Sequence, residues 1–481
     1  MIKKRVSLLG EEALERVHAE SLRVLESVGV QVDDPECVEI LRRAGARVDG
    51  RSSTVRLPGP MVIEAMEQVT KAFDLVAPDG ARHQMPSERP LLASRVKMGK
   101  ILDYGAQHAR EPCHEDVVNL CKITNALPCV EFSYAVDYPS TDVPPELDIA
   151  DTVGLMYAVT GNPGVCAPVS EAAGRTWVDI AQAANGSGAS EHLPGLLVSI
   201  CTTGPLRLEA ENGRLLRHVV SRGVPLSAEP MPMAGVSAPF TLAGTLVLDN
   251  AEALFLFTLA NAVRPGAKVT YGALGSIMNM RQANLSMGAP ETMLLSSAET
   301  AMARFYGLST YRPACYTDSY YPDVQAGIEK AAFTLMVLLS GADLVLMGGS
   351  LNNADSLSYE QVVLDHDVWE LARRLTAEIW VDESTLTYES IAEVGIGGSY
   401  LDLDHTLRWL RTGEHYYGGS FSRSGEPGEE HTMLARAHER VVEALSEPLE
   451  FRAPPEAVER IKQYVRDEAR RARVAVPDWA V

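Results

Sequence analysis

Residues 312–329 bring together side chains that could hold a small organic cation. The segment contains, in order, Arg312, Tyr316, Asp318, Tyr320, Gln325 and Glu329. Aromatic faces and carboxylates attract an alkylated ammonium group, and each aromatic face contributes about 0.5–2 kcal/mol. An arginine can pair with a carboxylate on the same ligand. We therefore predict a ligand site here, with Asp318 as a catalytic residue and the other five side chains as ligand-binding residues.

The alternative for this segment is a structural role. A single buried tyrosine more often packs between a strand and a loop than it binds a ligand. Taken one at a time, Tyr311, Tyr316 and Tyr321 fit that description. The grouping of tyrosines, an arginine and carboxylates in one short segment favours function for the group as a whole.

Four further side chains lie at the ends of apolar runs or in polar blocks. Glu229 precedes Pro-Met-Pro, and a carboxylate in a cavity is costly unless it is paired or faces a cation, so we predict a catalytic role or a structural ion pair. Tyr271 precedes Gly272, which would admit a ligand or only mark a turn. We predict ligand contact for Tyr104, Tyr271 and His405, and His405 could equally cap or pack against a helix.

Glycines and cysteines suggest two other kinds of site. Gly348, Gly349, Gly397 and Gly398 could let a cofactor approach the backbone, although ordinary loops also contain such clusters. Cys166, Cys201 and Cys315 each follow an apolar run, and three converging thiolates would make a zinc site. No two of them are close in sequence, and cysteine is often a small buried hydrophobe, so we expect no tightly bound metal.

Eight short apolar runs predict the elements that position these residues. They cover 97–105, 129–138, 164–170, 195–204, 223–230, 267–275, 309–319 and 342–350, and a helix-like stretch follows each. Strands that alternate with helices indicate a parallel sheet, and eight of them over this length favour an α/β fold of the (β/α)8 TIM-barrel type. We predict an N-terminal helical cap over 1–95, the barrel over 96–450, and a C-terminal helix over 451–481 that packs on the barrel.

Composition excludes several classes of partner. The net charge is −21, which argues against nucleic acid and against an anionic membrane. The N-terminus lacks the apolar stretch of a signal peptide, and no run of about 18 apolar residues predicts a membrane span. Seven cysteines without a C-x-x-C pair indicate reduced thiols. We expect a cytoplasmic protein.

Several blocks resemble the trimethylamine methyltransferase family, in the same order. They are SAPFTLAG (237–244), RPGAKVTYG (264–272), GAPET (288–292), ARFYGL (303–308), TDSYYPDVQAGIEK (317–330), SYEQVVLD (358–365) and GIGGSYLDLDHTLR (395–408). The N-terminal ERVHAESLRVLESVGVQVDD is also similar to that family's opening. The resemblance implies a (β/α)8 barrel, a homo-oligomer, and methyl transfer from a methylated amine to the cobalt of a corrinoid (cobalamin) held by a separate protein.

The sequence resembles the branch of this family that lacks pyrrolysine, whose members demethylate betaines. A neutral tertiary amine would have to leave as an amide anion, whereas a quaternary ammonium leaves as a neutral amine. A chain without pyrrolysine therefore suits a quaternary amine of the glycine betaine type. Many family members read Asp-Ser-Lys where this chain reads Asp318-Ser319-Tyr320.

Two other functions fit some of these residues. One is a zinc-dependent barrel enzyme, either a methyltransferase or a hydrolase, that uses the three cysteines. The other is a non-catalytic relative that binds a quaternary amine, which the change at Tyr320 would allow.

Overall fold

The chain begins with a region of helices and short strands. The computed structural model describes residues 6–186, 195–412, 414–416, 418–421 and 432–481. The first elements are α1 (Glu11–Ser27), β1 (Val30–Val32), α2 (Pro35–Arg43), β2 (Arg47–Asp49), β3 (Thr54–Arg56), α3 (Gly59–Gln68), β4 (Phe73–Val76) and β5 (Arg82–Met85). Helix α2 begins where the Asp34 side chain accepts a hydrogen bond from the Glu36 amide, and Pro35 occupies its first turn. The predicted helices are present, and the strands between them were not predicted.

Eight parallel strands close into a barrel, which confirms the predicted fold class. They are β6 (Leu91–Arg95), β7 (Val130–Ala135), β8 (Gly164–Cys166), β9 (Leu196–Ile200), β11 (Leu226–Ala228), β13 (Val269–Tyr271), β16 (Ser309–Pro313) and β17 (Leu344–Met347). Each strand pairs with the next in this order, and β17 pairs with β6 to close the ring. Seven of the eight predicted runs contain a barrel strand.

The prediction for the first strand is wrong. The strand is Leu91–Arg95, not 97–105, so the barrel begins inside the segment that we assigned to the cap. All five residues of β6 are buried, and the strand pairs on both sides. Residues 97–105 instead form the loop after it, where Ile101 makes only isolated bridges to Arg110 and Leu357. The apolar spacing of that loop imitates a strand because several of its side chains are buried.

Eight helices surround the barrel among the described residues. They are α4 (His114–Ala126), α5 (Pro145–Thr160), α6 (Glu171–Asn185), α7 (Ala210–Ser221), α8 (Leu242–Val263), α9 (Pro290–Phe305), α10 (Val324–Ser340) and α11 (Tyr359–Leu375). Helix α8 is long and apolar enough to cross a membrane, but 78% of its apolar window is buried in this structure. It packs against α1, α2, α3, α7 and α9, so its apolar surface serves the protein core.

The two ends of the barrel are finished differently. The β4–β5 hairpin sends Phe73, Leu75 and Met85 into the apolar cluster inside the barrel, so it closes the amino end of the strands. Short strands lie in the loops at the carboxyl end of the barrel. They are β10 (Arg207–Leu208), β12 (Met233–Ala234), β14 (Ser276–Asn279), β15 (Asn284–Ser286), β18 (Ser350–Leu351) and β19 (Ser356–Leu357).

The C-terminal region adds five helices to the described part of the chain. They are α12 (Glu383–Leu386), α13 (Tyr388–Val394), α14 (Asp404–Leu410), α15 (Met433–Ser446) and α16 (Pro455–Ala472). Helix α15 packs against α4 and α11, and α16 packs against α5 and α6. The short helices α12, α13 and α14 contain no buried residue.

Candidate active site

The barrel interior has an apolar floor and a polar upper layer. Strand residues alternate between the interior and the surrounding helices. Leu91, Phe132, Val165, Leu197 and Tyr311 come from five different strands and lie in one cluster, which identifies the inward-facing positions. By the same alternation, Arg95 at the end of β6 faces inward, as does Glu229 after β11. Tyr134, near the end of β7, belongs to the cluster itself.

Arg95 lies among tyrosines. Its Nη2 donates a hydrogen bond to the Tyr316 hydroxyl at 3.1 Å, and its guanidinium carbon lies 4.7 Å from the centre of the Tyr134 ring. The side chain is only 4% exposed. Within the described residues, no carboxylate forms an ion pair with Arg95 at 4.0 Å or less. The close contacts of its charged group in the described structure are therefore aromatic.

Glu229 is the carboxylate of the interior. It is 6% exposed, and its Oε2 has no hydrogen-bond partner in the described structure. Burial raises the pKa of Glu229 to about 7, against the opposing charges of Arg95 and Arg312. Near neutral pH the group is thus divided between its acid and its carboxylate, and a cation placed beside it would favour the carboxylate.

Three tyrosines complete the upper layer. Tyr134, Tyr311 and Tyr316 are all buried, and the hydroxyl of Tyr311 lacks a hydrogen-bond partner among the described residues. Burial raises the pKa of Tyr311 well above its ordinary value, so the hydroxyl stays protonated. The interior thus offers aromatic faces, one carboxylate that could bind a cation, and one arginine that could bind an anion.

Two predicted ligand contacts, Arg312 and Tyr271, face away from the interior. Arg312 forms an ion pair with Glu299 of α9 at 2.6 Å, and the Tyr271 hydroxyl donates to Asn250 of α8 at 3.1 Å. Because Tyr311 faces inward, its neighbour Arg312 must face the helices. Behind the strands, burial and Glu299 raise the pKa of Asp249 well above its ordinary value. We correct the prediction for both residues, since a strand register cannot be read from composition.

The acidic residues of 312–329 form hydrogen bonds that connect two loops. Asp318 accepts hydrogen bonds from the Ser286 hydroxyl and, at 2.7 Å, from the Gly288 amide. Glu329 accepts from the Asp318 amide at 2.9 Å and from Gln325 Nε2 at 2.9 Å. These hydrogen bonds connect and position the loops. The catalytic role of Asp318 and the ligand contacts of Gln325 and Glu329 stay predictions.

The remaining aromatic and histidine candidates also lie elsewhere. Tyr104 is 49% exposed and stacks on His438 with ring centres 3.7 Å apart. Tyr320 accepts a hydrogen bond from the Ala109 amide at 3.1 Å and packs with Leu102 and Leu351. His405 lies in α14, lines a pocket formed by residues of 383–411, and has no hydrogen-bond partner at Nε2 in the described structure. The ligand contacts of Tyr104, Tyr320 and His405 stay predictions.

The predicted glycine sites serve the chain itself. A Cβ on Gly348 would lie 2.5 Å from the Arg95 amide nitrogen, and one on Gly349 would lie 2.5 Å from a methyl carbon of Val362. Both glycines have positive φ, which favours glycine on its own. Gly397 and Gly398 are exposed in the segment after α13. The space at Gly348 and Gly349 is therefore filled by neighbouring residues, which corrects their assignment to a cofactor.

The sequence interpretation missed Arg95 and Tyr134 and gave Tyr311 a packing role. A signal for Arg95 exists, because LLASR is a short apolar run that ends in a charge at a strand end. The adjacent loop 97–105 is also apolar and obscures this signal. Of the predicted residues, only Glu229 and Tyr316 reach the interior.

Comparison with known proteins identifies the family. The family model for trimethylamine methyltransferase matches residues 2–474. The chain belongs to the trimethylamine methyltransferase family. It is a methyltransferase.

The chain is similar to two relatives whose names give different substrates. It is 29% identical over 456 residues to a trimethylamine methyltransferase of Methanosarcina thermophila, which covers 92% of this chain and 93% of the relative. It is 26% identical over 416 residues to a glycine betaine methyltransferase of Desulfitobacterium hafniense, with 84% of each chain covered. The sequence of this methyltransferase contains no pyrrolysine.

A solved structure supports the fold of the methyltransferase. The monomethylamine methyltransferase of Methanosarcina barkeri superimposes with a TM-score of 0.50 and 13% identity. The alignment covers 90% of this chain and 94% of that chain. At this identity the likeness concerns the barrel fold alone.

The three cysteines of the zinc alternative do not converge in this methyltransferase. Among the described residues, no group of three His, Cys, Asp or Glu side chains is placed to hold a metal ion. Cys166 packs in the outer core, and Cys315 lies in a separate cluster with Phe333 and Trp369. Burial raises the pKa of Cys166, Cys201 and Cys315, which disfavours the thiolate that zinc requires. The zinc alternative is therefore wrong in its ligand set.

Proposed function

We propose that this methyltransferase takes a methyl group from a small quaternary amine of the glycine betaine type and transfers it to a corrinoid protein. The observation that carries this proposal is the buried carboxylate of Glu229, unpartnered at one oxygen, in an interior walled by Tyr134, Tyr311 and Tyr316. A quaternary ammonium has no N–H to donate. Aromatic faces and a carboxylate are the groups that bind it.

These residues act by binding and by excluding water. As the methyl group leaves, the nitrogen loses its positive charge. An ionised Glu229 therefore stabilises the bound cation more than the transition state, and contributes to substrate affinity more than to the rate of transfer. The apolar floor beneath favours the loss of charge because it solvates a neutral amine better than an ammonium.

A Co(I) corrinoid supplies the nucleophile in the proposed reaction. The chain's part is to present the methyl group at the open end of the barrel, because the β4–β5 hairpin closes the other end. Apolar side chains on the loops around that opening support a protein partner there, since soluble surfaces rarely leave such side chains clustered. Those at least 44% exposed include Tyr138, Val169, Met231, Phe240, Met280 and Tyr321.

We also propose a homo-oligomer formed through residues 376–411. Apolar side chains there are strongly exposed, among them Ile379 (80%), Trp380 (67%), Tyr388 (74%) and Leu401 (78%). Helix α11 starts at the carboxyl end of the barrel and is about 25 Å long at 1.5 Å per residue. The segment that follows it therefore begins about 25 Å from that end. A corrinoid partner must sit at that carboxyl end, so a second copy of this chain is the occupant that fits here. Trp380→Asp should dissociate the oligomer in light scattering without lowering the melting temperature, and a monomeric wild type would contradict it.

The cytoplasm is the proposed location. All seven cysteines are free in this structure, and four of them, Cys37, Cys121, Cys166 and Cys315, are fully buried. Reduced thiols are the rule in that compartment.

The test of function is a methyl-transfer assay with reduced corrinoid protein. The donors are glycine betaine, carnitine, tetramethylammonium and trimethylamine, and the readout is the change in the corrinoid absorption spectrum. We expect transfer from at least one quaternary amine and none from trimethylamine. Transfer from trimethylamine alone would contradict the proposal.

A further inference from the structure

Four lysines and arginines are fully or almost fully buried in the described structure. Three of them have a carboxylate partner: Lys97 lies 2.7 Å from Asp148, Lys330 lies 3.0 Å from Asp365, and Arg312 lies 2.6 Å from Glu299. Arg95 is the fourth, and no carboxylate pairs with it among the described residues. An unpaired buried charge is unfavourable, so Arg95 differs from the other three in having no carboxylate within ion-pair distance in the described structure.

Arg95 lies in the polar upper layer of the barrel interior. It ends β6 on the inward face, shares the upper layer with Glu229, and donates to Tyr316 at 3.1 Å. No ion pair of 4.0 Å or less joins it to Glu229, so the two opposite charges do not satisfy each other. The interior therefore holds one cationic and one anionic group side by side, both with capacity left for a ligand.

We infer that Arg95 binds a carboxylate carried by the substrate. The inference rests on the proposed function and narrows its substrate class to a zwitterion. A molecule with a quaternary ammonium at one end and a carboxylate at the other would pair its cation with Glu229 and its anion with Arg95. Such a ligand adds no net charge to the buried interior. A methylated amine without a carboxylate would leave Arg95 unpaired.

The test compares two ligands that differ in the carboxylate. Glycine betaine and tetramethylammonium both carry a quaternary nitrogen, and only the first is a zwitterion. Their binding to the wild type, Arg95→Lys and Arg95→Met is measured by calorimetry on the isolated enzyme. We expect Arg95→Met to weaken glycine betaine about 100-fold or more, as loss of a buried charge-assisted pair does, and to change tetramethylammonium less than threefold. Arg95→Lys should recover part of the loss.

Lys97→Met is the matched control. Lys97 is as buried as Arg95 but has Asp148 as its partner, so its loss should lower the melting temperature because it leaves a carboxylate unpaired. Arg95→Met breaks no ion pair of 4.0 Å or less and removes only the longer-range effect of its charge on Glu229, so its melting temperature should fall less than that of Lys97→Met. If Arg95→Met melts lower than Lys97→Met, Arg95 is structural and the inference fails.

The remaining outcomes separate this inference from the proposed function. An equal loss of both ligands, or of neither, in Arg95→Met would overturn the carboxylate contact and leave the methyl transfer intact. A wild type that binds no quaternary amine would overturn both. A rise in KM for the corrinoid protein with every donor, without a change in glycine betaine binding, would assign Arg95 to an anionic group of the corrinoid and refute the inference.

Discussion

Replacement of Glu229 by glutamine should stabilise the fold at alkaline pH while it weakens substrate binding. The pKa of Glu229 is about 7 in the folded protein and 4.5 as its ordinary value. Because the folded pKa is raised, the folded state holds a proton that the unfolded state has already lost between pH 4.5 and pH 7. Stability from this group therefore falls as pH rises through that window and stays low above pH 7.

The magnitude follows from the difference between the two pKa values. At about 1.36 kcal/mol per pKa unit, the wild type loses about 3 kcal/mol at pH 8.5 and about 1 kcal/mol at pH 5. Glutamine does not titrate, so Glu229→Gln regains that loss. An unfolding entropy of about 2.1 cal/mol/K per residue over the 481 residues converts 3 kcal/mol to about 3 °C if the chain unfolds as one unit.

The assay is the melting temperature of Glu229→Gln minus that of the wild type, measured at pH 5 and pH 8.5. Glu67→Gln, an exposed glutamate on α3, is the control and should show no difference at either pH. In methyl transfer, Glu229→Gln should raise KM for glycine betaine more than it lowers kcat. A destabilised variant at pH 8.5, or a gain that is independent of pH, would refute a buried carboxylate with a raised pKa.

Three other predictions follow from the same contacts. Glycine betaine binding should weaken about tenfold per pH unit below about pH 7, because Glu229 becomes the neutral acid there; a flat profile in calorimetry from pH 5 to pH 8 would contradict this. Tyr311→Phe should keep cation binding within a few-fold and raise stability by up to about 1 kcal/mol, because it removes a buried hydroxyl without a partner; a large drop in melting temperature would argue against it. Asp318→Ala should lower the melting temperature and methyl transfer together, since it frees the Gly288 amide and the Ser286 hydroxyl; full stability with no activity would support a catalytic role.

The barrel could be predicted because its signal is spread over the whole chain. Each apolar run of strand length with a helical stretch behind it is weak evidence, and eight of them in a row are strong evidence. The first strand was misplaced because LLASR and the loop 97–105 are both apolar and adjacent. Only pairing decides between them, and β6 pairs with β7 and β17 whereas the loop does not.

The site was harder to predict than the fold, and the reason is register. Arg312 and Tyr311 are neighbours in the sequence, yet one faces Glu299 on α9 and the other faces the cavity. Composition cannot separate two such residues, because a shift of one position exchanges them. Asp318 differs from these two, because its hydrogen-bond donors come from 286–288 and could not be predicted from the segment that contains it.

The β4–β5 hairpin, which closes the amino end of the barrel, implies an order of binding and release in the proposed reaction. Phe73, Leu75 and Met85 fill the amino end of the barrel. The proposed methyl donor would therefore enter and leave at the carboxyl end. The proposed methyl acceptor would occupy the same carboxyl end of the barrel during transfer. In the proposed reaction the methylated amine would therefore bind before the corrinoid protein docks, and the demethylated amine would leave after the corrinoid protein has dissociated.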